Sequence, residues 1–261
     1  MDITIAHISD PHAGKINFMP EKLETAISEI NSLDPDVVVL SGDLTMFGFE
    51  NEYRLVRNYM DKLNNTVLAI PGNHDSRYMG HIYFEKFFGQ RNWVANISDE
   101  LTIIGVDTSI PDLDEGTAGR GKQKWLAREL KKIPQSTCKV VTLHHHIVPV
   151  PMTGRERAVL TDAGDILDIL TREGVDLALS GHRHTPSAWI LNNLALVTAG
   201  SISSEKVRAT IKQSYNIIKV TDEFLEIKLK EIGGKEKLIA KYNRIKGRRY
   251  IITNPQPLLK N

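Results

Sequence analysis

Residues 3–12, ITIAHISDPH, run from an apolar strand pattern directly into an Asp-x-His pair. The same unit returns twice. DVVVLS (36–41) leads into Ser41-Gly42-Asp43, and TVLAIP (66–71) leads into Pro71-Gly72-Asn73-His74-Asp75. Between the first two strands, Pro20 can open a helix. Its Leu23, Ala26, Ile27, Ile30 and Leu33 form one apolar face at helical period. Between the next two, Tyr53, Val56, Met60 and Leu63 repeat in the same way. Strand, helix, strand, helix, strand predicts an α/β chain whose parallel or mixed sheet is covered by helices.

Further apolar runs follow at LTIIGVD (101–107), KVVTLHH (139–145), VDLALS (175–180) and LALVTA (194–199). Helical patterns at 122–132 and 162–172 separate the first three. After Ser214 the texture changes to YNIIKV and FLEIKLKEI, joined by the turn Thr221-Asp222-Glu223. These read as an antiparallel close to the same unit. Without a repeat, a low-complexity tract or a Pro/Gly linker, one domain over 1–261 is expected. Its core would cover about 1–220, with a β-rich C-terminal extension over about 221–261.

Composition narrows the function classes. A net charge of +1 over 261 residues gives no global footprint for nucleic acid. Nine Lys or Arg between Lys228 and Arg249 face only Glu231 and Glu236, which reads as a solvated surface. Cys138 is the only cysteine, so neither an intrachain disulfide nor a thiolate cluster is available. Asp2 stands where a signal peptide would want a cation, and no apolar stretch reaches the ~18 residues that span a bilayer. A cytoplasmic protein without a membrane partner is expected.

The chemistry lies at the strand ends, where open α/β sheets bind ligands. Five tips bring Asp10, His12, Asp43, Asn73, His74, one or more of His144, His145 and His146, and the pair His182 and His184 to one rim. Each motif alone has an ordinary reading: Gly-Asp after a strand is usually a turn, and His-x-His can be a surface pair. Their ordered occurrence, each after an apolar run, favours metal binding. Oxygen and imidazole donors without thiolate suit Mn, Fe, Zn or Co. The set is too large for one tetrahedral site and fits two neighbouring ions. Gly42, Gly72 and Gly181 precede ligand positions and would let the backbone approach an ion. Side chains alternate along a strand, so His144 and His145 cannot both face the rim if the strand runs through them.

In this order, Asp10-x-His12, Gly42-Asp43, Gly72-Asn73-His74-Asp75, His144 and Gly181-His182-x-His184 resemble the calcineurin-like metallophosphoesterase superfamily. The resemblance implies a four-layer α-β-β-α sandwich with mixed sheets and two divalent or trivalent transition-metal ions. It implies that Asp10, His12, Asp43 and His184 hold one ion, and that Asp43, Asn73, His144 and His182 hold the other, with Asp43 bridging. It makes His74 the catalytic histidine outside the ligand set, oriented by Asp75. The family register, with the apolar lead-in 140–143, selects His144 as ligand, His145 as its support and His146 as a loop residue.

Among the superfamily, HISDPH, VVVLSGDLT, AIPGNHD, LHHHIVP, VDLALSGHRH and VTAGSIS are most similar to the class III cyclic-nucleotide phosphodiesterase and glycerophosphodiesterase group. That resemblance implies hydrolysis of small phosphodiesters, 3′,5′-cyclic nucleotides among them, by in-line attack of a metal-bridging hydroxide. The protein-phosphatase pattern Gly-Asp-x-x-Asp-Arg-Gly is absent, because Gly42-Asp43 is followed by Leu-Thr-Met-Phe-Gly. The group often reads His-His-Pro where this chain has His144-His145-His146-Ile147. A nuclease or a nucleotide-type pyrophosphatase with the same site is the alternative, and a non-catalytic scaffold a lesser one. Lys15, Arg155 and Arg157 fall in loops near the rim, where they could grip a phosphate or a base.

Overall fold

The computed structural model describes residues 1–154, 159–208, 211–245 and 249–252, with side chains through residue 243. Arg155 and Arg157 therefore lie outside the described residues, as do Lys246, Arg248 and the side chains of Arg244 and Arg249.

The chain opens with β1 (Asp2–Ile8), α1 (Pro20–Leu33), β2 (Val37–Leu40), α2 (Glu50–Met60) and β3 (Val67–Ala69). A 3₁₀ turn at His74–Ser76 precedes α3 (Gly80–Phe88). The middle of the chain forms β4 (Trp93–Ser98), β5 (Leu101–Val106), α4 (Gly119–Lys132), β6 (Cys138–Leu143), α5 (Ala163–Arg172) and β7 (Leu177–Ser180). After β8 (Ser187–Leu191) and β9 (Leu194–Thr198) come β10 (Ser214–Thr221), β11 (Phe224–Glu231), β12 (Glu236–Ile245) and β13 (Arg249–Ile252).

These strands form two sheets, ordered β13-β12-β11-β10-β1-β2-β3 and β4-β5-β6-β7-β9-β8. Strands β1, β2 and β3 are mutually parallel, whereas β10 pairs with β1 antiparallel. In the second sheet β5, β6, β7 and β9 are parallel, and the edges β4 and β8 are antiparallel.

Side-chain alternation builds the layers. From β1, Ile3 and Ile5 enter a core between the sheets, while Ala6 and Ile8 enter a second core with α1, α2 and α3. Strand β2 divides likewise, Val37 and Val39 one way and Val38 and Leu40 the other. On β6, Val140 joins the inter-sheet core, and Val141 and Leu143 join a third core under α4 and α5. Three apolar interfaces between four layers make the α-β-β-α sandwich with mixed sheets. Strands covered on both faces read as continuous apolar runs. Helix α1 buries Leu23, Ala26, Ile27 and Ile30, the face its period predicts.

Strand β10 inserts directly beside β1, with Ile218 opposite Ile5, and β11 and β12 continue the same sheet outward. Strand β6 ends at Leu143, two residues before the end of the expected run. Its pairing with β7 stops at Thr142 opposite Leu179. The next carbonyl, on His144, instead accepts the Gly181 amide at 3.0 Å, so the triplet turns out of the ladder. Among the described residues, no helix is long and apolar enough to cross a membrane.

Candidate metal centre

The strand tips remain laced together beyond the sheets. The Asp10 amide donates to Gly42 O and the His12 amide to Asp43 O, both at 3.0 Å. Asp10, His12, Asp43, His182 and His184 have φ of 54°, 48°, 53°, 70° and 53°. Left-handed backbone is uncommon in non-glycine residues, and such strain gathers at functional sites. At Gly72 the close approach expected from the sequence is present. A Cβ there would lie 2.2 Å from Asp43 Oδ1.

Two knots of donor atoms meet at Asp43. Its Oδ1 accepts the His74 amide at 2.9 Å. Its Oδ2 lies 3.5 Å from His12 Nε2 and 3.4 Å from His144 Nε2. On one side, His184 Nε2 is 3.2 Å from Asp10 Oδ1 and 2.9 Å from His12 Nε2. On the other, Asn73 Oδ1 is 3.1 Å from His144 Nε2 and 3.0 Å from His182 Nδ1. Ligand atoms of Asp10, His12 and His184, and those of Asp43, His144 and His182, each fall within 4.8 Å of one another. His12, Asp43 and His74 form a third such group.

The ring orientations suit metal ions. His144 Nδ1 donates to Ser41 O at 2.8 Å and His184 Nδ1 donates to Lys206 O, which turns each Nε2 lone pair inward. Asn73 Nδ2 donates to Asp114 Oδ1 at 3.1 Å, so the amide oxygen faces the cluster. His144 Nε2 and Asn73 Oδ1 are then two acceptors face to face, and they need a proton or a cation between them. The oxygen and nitrogen donors fit a first-row transition metal.

Burial would lift Asp10, but the charge of His184 and hydrogen bonds from His12 and His184 hold its carboxyl well below the usual range. Against the same burial, the His144 and His74 charges hold Asp43 down. Burial would lower His144, yet Asp43 raises it to about 9. Burial lowers His12 to about 4, and His182 falls too, through burial and the neighbouring His145 and His144. Metal and proton compete for such nitrogens.

His74 is half-buried, its ring edge-to-face with His12 at 4.6 Å, and its Nδ1 donates to Met46 O at 2.7 Å. Asp75 binds backbone around that ring instead of the ring itself. It accepts the amides of Leu44, Thr45 and Gly72 and the Thr45 hydroxyl. Burial and the Asp43 charge push its carboxyl up to about 7, against the hydrogen bonds from the Gly72 and Leu44 amides and the Thr45 hydroxyl. His145 has both nitrogens engaged, Nδ1 with Thr108 Oγ1 at 2.8 Å and Nε2 with Asp114 O at 3.2 Å. The His146 ring stacks on His182, centroids 5.8 Å apart.

Several contributors escaped the sequence reading. Asp114 holds Asn73 and is itself held by Arg77 at 2.8 Å. Its loop, PDLDE, carries only a loop signal. Ser201 Oγ donates to Asp10 O at 2.7 Å and Ser203 Oγ to Pro11 O at 3.0 Å, so the VTAGSIS segment clamps the first turn. Lys15 is exposed in the loop after His12 and lines a cleft with Ile16, Phe47 and Phe49.

A sandwich of this kind, with two carboxylates, an asparagine amide and four imidazoles drawn together at its strand tips, defines a metal-dependent phosphoesterase. The sequence pattern of the calcineurin-like phosphoesterase family matches residues 3–186, and the chain belongs to that family. It is 29% identical over 224 residues to a probable glycerophosphodiester phosphodiesterase of Arcobacter nitrofigilis, covering 77% of this chain and 79% of the relative. It is 28% identical to a cAMP/cGMP dual specificity phosphodiesterase of Mycobacterium tuberculosis, covering 70% of this chain and 62% of that one. A dimetal phosphatase from Danio rerio shares the fold with a TM-score of 0.69 at 11% identity, covering 91% of this chain and 98% of that one. The protein is a phosphoric ester hydrolase.

Proposed function

We propose that the chain is a two-metal phosphodiesterase acting on small phosphodiesters, 3′,5′-cyclic nucleotides among them. The observation that carries this reading is the position of Asp43 Oδ2, nearly equidistant from His12 Nε2 and His144 Nε2. Asp10, His12, Asp43 and His184 would hold one ion, and Asp43, Asn73, His144 and His182 the other. Mn, Fe, Zn or Co suits these donors. Bound ions supply Lewis acidity toward a phosphoryl oxygen and make water a usable nucleophile near neutral pH.

The remaining chemistry belongs to the protein. Met46 O fixes the His74 proton on Nδ1, so Nε2 is the atom that accepts or donates a proton. Asp75 holds the backbone of the Asp43 and Asn73 turns in register, which keeps His74 beside Asp43. The names of the relatives support a diester substrate. A nuclease or a nucleotide-type pyrophosphatase would use the same donors, and the net charge of +1 favours the smaller substrate. The insertion of β10 beside β1 supports treating residues 1–261 as one unit. A cytoplasmic location suits the single, buried Cys138.

The test compares rates on an aryl phosphodiester, an aryl phosphomonoester and 3′,5′-cyclic nucleotides with Mn²⁺, alongside Asp43→Ala and His74→Ala. Diester turnover is expected to exceed monoester turnover, Asp43→Ala to abolish both, and His74→Ala to keep its metal while losing rate. Faster monoester than diester hydrolysis overturns the reading.

A further inference from the structure

Beside His74 the surface carries side chains that a soluble protein normally covers. Tyr78 is 61% exposed, Leu113 48% and Phe49 43%. The three aromatic rings of this patch are in contact: Phe47 with Phe49 at 5.8 Å, and Phe49 stacked on Tyr78 at 5.3 Å. Phe47, Tyr78 and Leu113, with Arg77 and Asp114, line a cleft of about 560 Å³. That volume is ample for a nucleoside-sized group.

The patch is joined to the metal centre by short connections. Phe47 follows Met46, whose carbonyl holds the His74 ring. Tyr78 follows Arg77, which pairs with Asp114, which in turn holds the Asn73 amide. The patch is also rigid. Glu52 Oε2 accepts the amides of Phe47 and Phe49 at 2.8 and 3.4 Å. Gly48, at φ +74°, packs so closely that a Cβ would sit 2.7 Å from Arg77 O. Tyr78 is held at φ 53°, with its amide donating to Asp112 Oδ1 at 2.7 Å. A strained aromatic residue, kept in solvent by hydrogen bonds on both flanking segments, is built to present its ring.

We infer that Phe47, Tyr78 and Leu113, with Phe49 supporting the Tyr78 ring, form the subsite for the organic part of the diester, and that this part is a flat, uncharged aromatic ring system such as a nucleobase. The inference rests on the phosphodiesterase reading and adds the residues that choose among diesters. A ring stacks on Tyr78, which is itself backed by Phe49, whereas a glycerol or ethanolamine group offers no face to it. The exposed carboxylates of Asp112, Asp114 and Glu115 border the cleft and oppose further phosphates, which favours a single diester over a polynucleotide.

Two measurements test it. The first is the ratio of kcat/KM for 3′,5′-cyclic AMP over glycerophosphoethanolamine in the metal-loaded enzyme. It should fall about fivefold or more in Tyr78→Ala and in Phe49→Ala, chiefly through KM, and be kept in Tyr78→Phe. The second is calorimetric titration with AMP and with ribose 5-phosphate, which carry the same phosphate. AMP should bind the wild type about fivefold or more tightly, and Tyr78→Ala should erase the difference. Equal affinity for both ligands in the wild type, or an unchanged ratio in the alanine variants, overturns the inference. A wild type that hydrolyses neither diester overturns the phosphodiesterase reading, and the titration then decides the subsite by itself.

Discussion

Oδ1 of Asp75 accepts both the backbone amide and the hydroxyl of Thr45, at 2.9 and 2.7 Å. Its Oδ2 accepts the amides of Leu44 and Gly72, at 2.9 and 2.8 Å. One carboxylate thus ties the tip of β2 to the tip of β3. An asparagine keeps an acceptor at only one of the two oxygen positions and turns an NH2 toward the donors at the other, either both Thr45 groups or the Leu44 and Gly72 amides. Asp75→Asn is expected to cost about 2 kcal/mol or more in stability, because buried donors are left without partners. For a chain of this size that is a fall of roughly 4–8 °C in Tm, read by calorimetry. An unchanged Tm would remove Asp75 from its bridging role.

Removal of metal has a stability signature of its own. An ion bound only by the folded state adds stability as its concentration exceeds the dissociation constant. Protein purified with Mn²⁺ and then stripped with a chelator is expected to melt roughly 5–10 °C lower, and to recover when Mn²⁺ returns. Superimposable melting curves before and after chelation, with no transition metal by elemental analysis, would contradict the two-metal reading.

The three adjacent imidazoles separate experimentally. His144→Ala removes the Nε2 that faces Asp43 and Asn73, so metal content should fall by about one ion per chain. His145 has both nitrogens on Thr108 and Asp114. Its alanine variant should keep both ions and lose roughly 10- to 100-fold in rate through a loosened Asp114 loop and Asn73 amide. Loss of metal from His145→Ala equal to that from His144→Ala would reverse the assignment.

A fourth expectation concerns pH. His7 lies buried between the sheets, its Nε2 2.9 Å from Ser41 Oγ. Burial lowers it from 6.5 to about 3, although the Asp10 charge works the other way. Below pH 6.5 the unfolded chain takes up a proton at this position that the folded chain refuses. The stability due to neutral His7 is therefore complete above pH 6.5 and is lost as pH falls toward 3, by about 1.4 kcal/mol per pH unit. The difference between wild type and His7→Asn in chemical denaturation from pH 7 to 4 should narrow with that slope. A constant difference over this range would rule it out.

Much of the framework was legible in the sequence because its strands are covered on both faces. The edge strands were not. In β4, WVANIS alternates half-buried and exposed positions, and β8 carries Trp189 and Leu191 into solvent, so neither is a plain apolar run. Helix α3 opens on Gly80 and is rich in aromatic residues; its Phe84 and Phe88 pack on Tyr53, a tertiary contact that no local period reveals. At the centre, residues that would offer lone pairs to an ion were visible as motifs at strand ends. The groups that aim them were not, because Ser41 O, Met46 O and Asp114 act across 28 to 103 residues of sequence. The end of β6 at Leu143 was hidden too, since His144 and His145 leave the ladder through a contact with the distant Gly181.

The five left-handed residues around the centre set thermostability against turnover. Glycine at position 10, 12, 43, 182 or 184 would relieve a backbone conformation that costs an ordinary residue about 1–2 kcal/mol, and would delete a donor in the same step. A library selected for resistance to heat in the presence of a chelator, where the ions add nothing, should therefore accumulate glycine at these positions and lose activity as it does so, whereas selection for turnover with metal should hold all five in place.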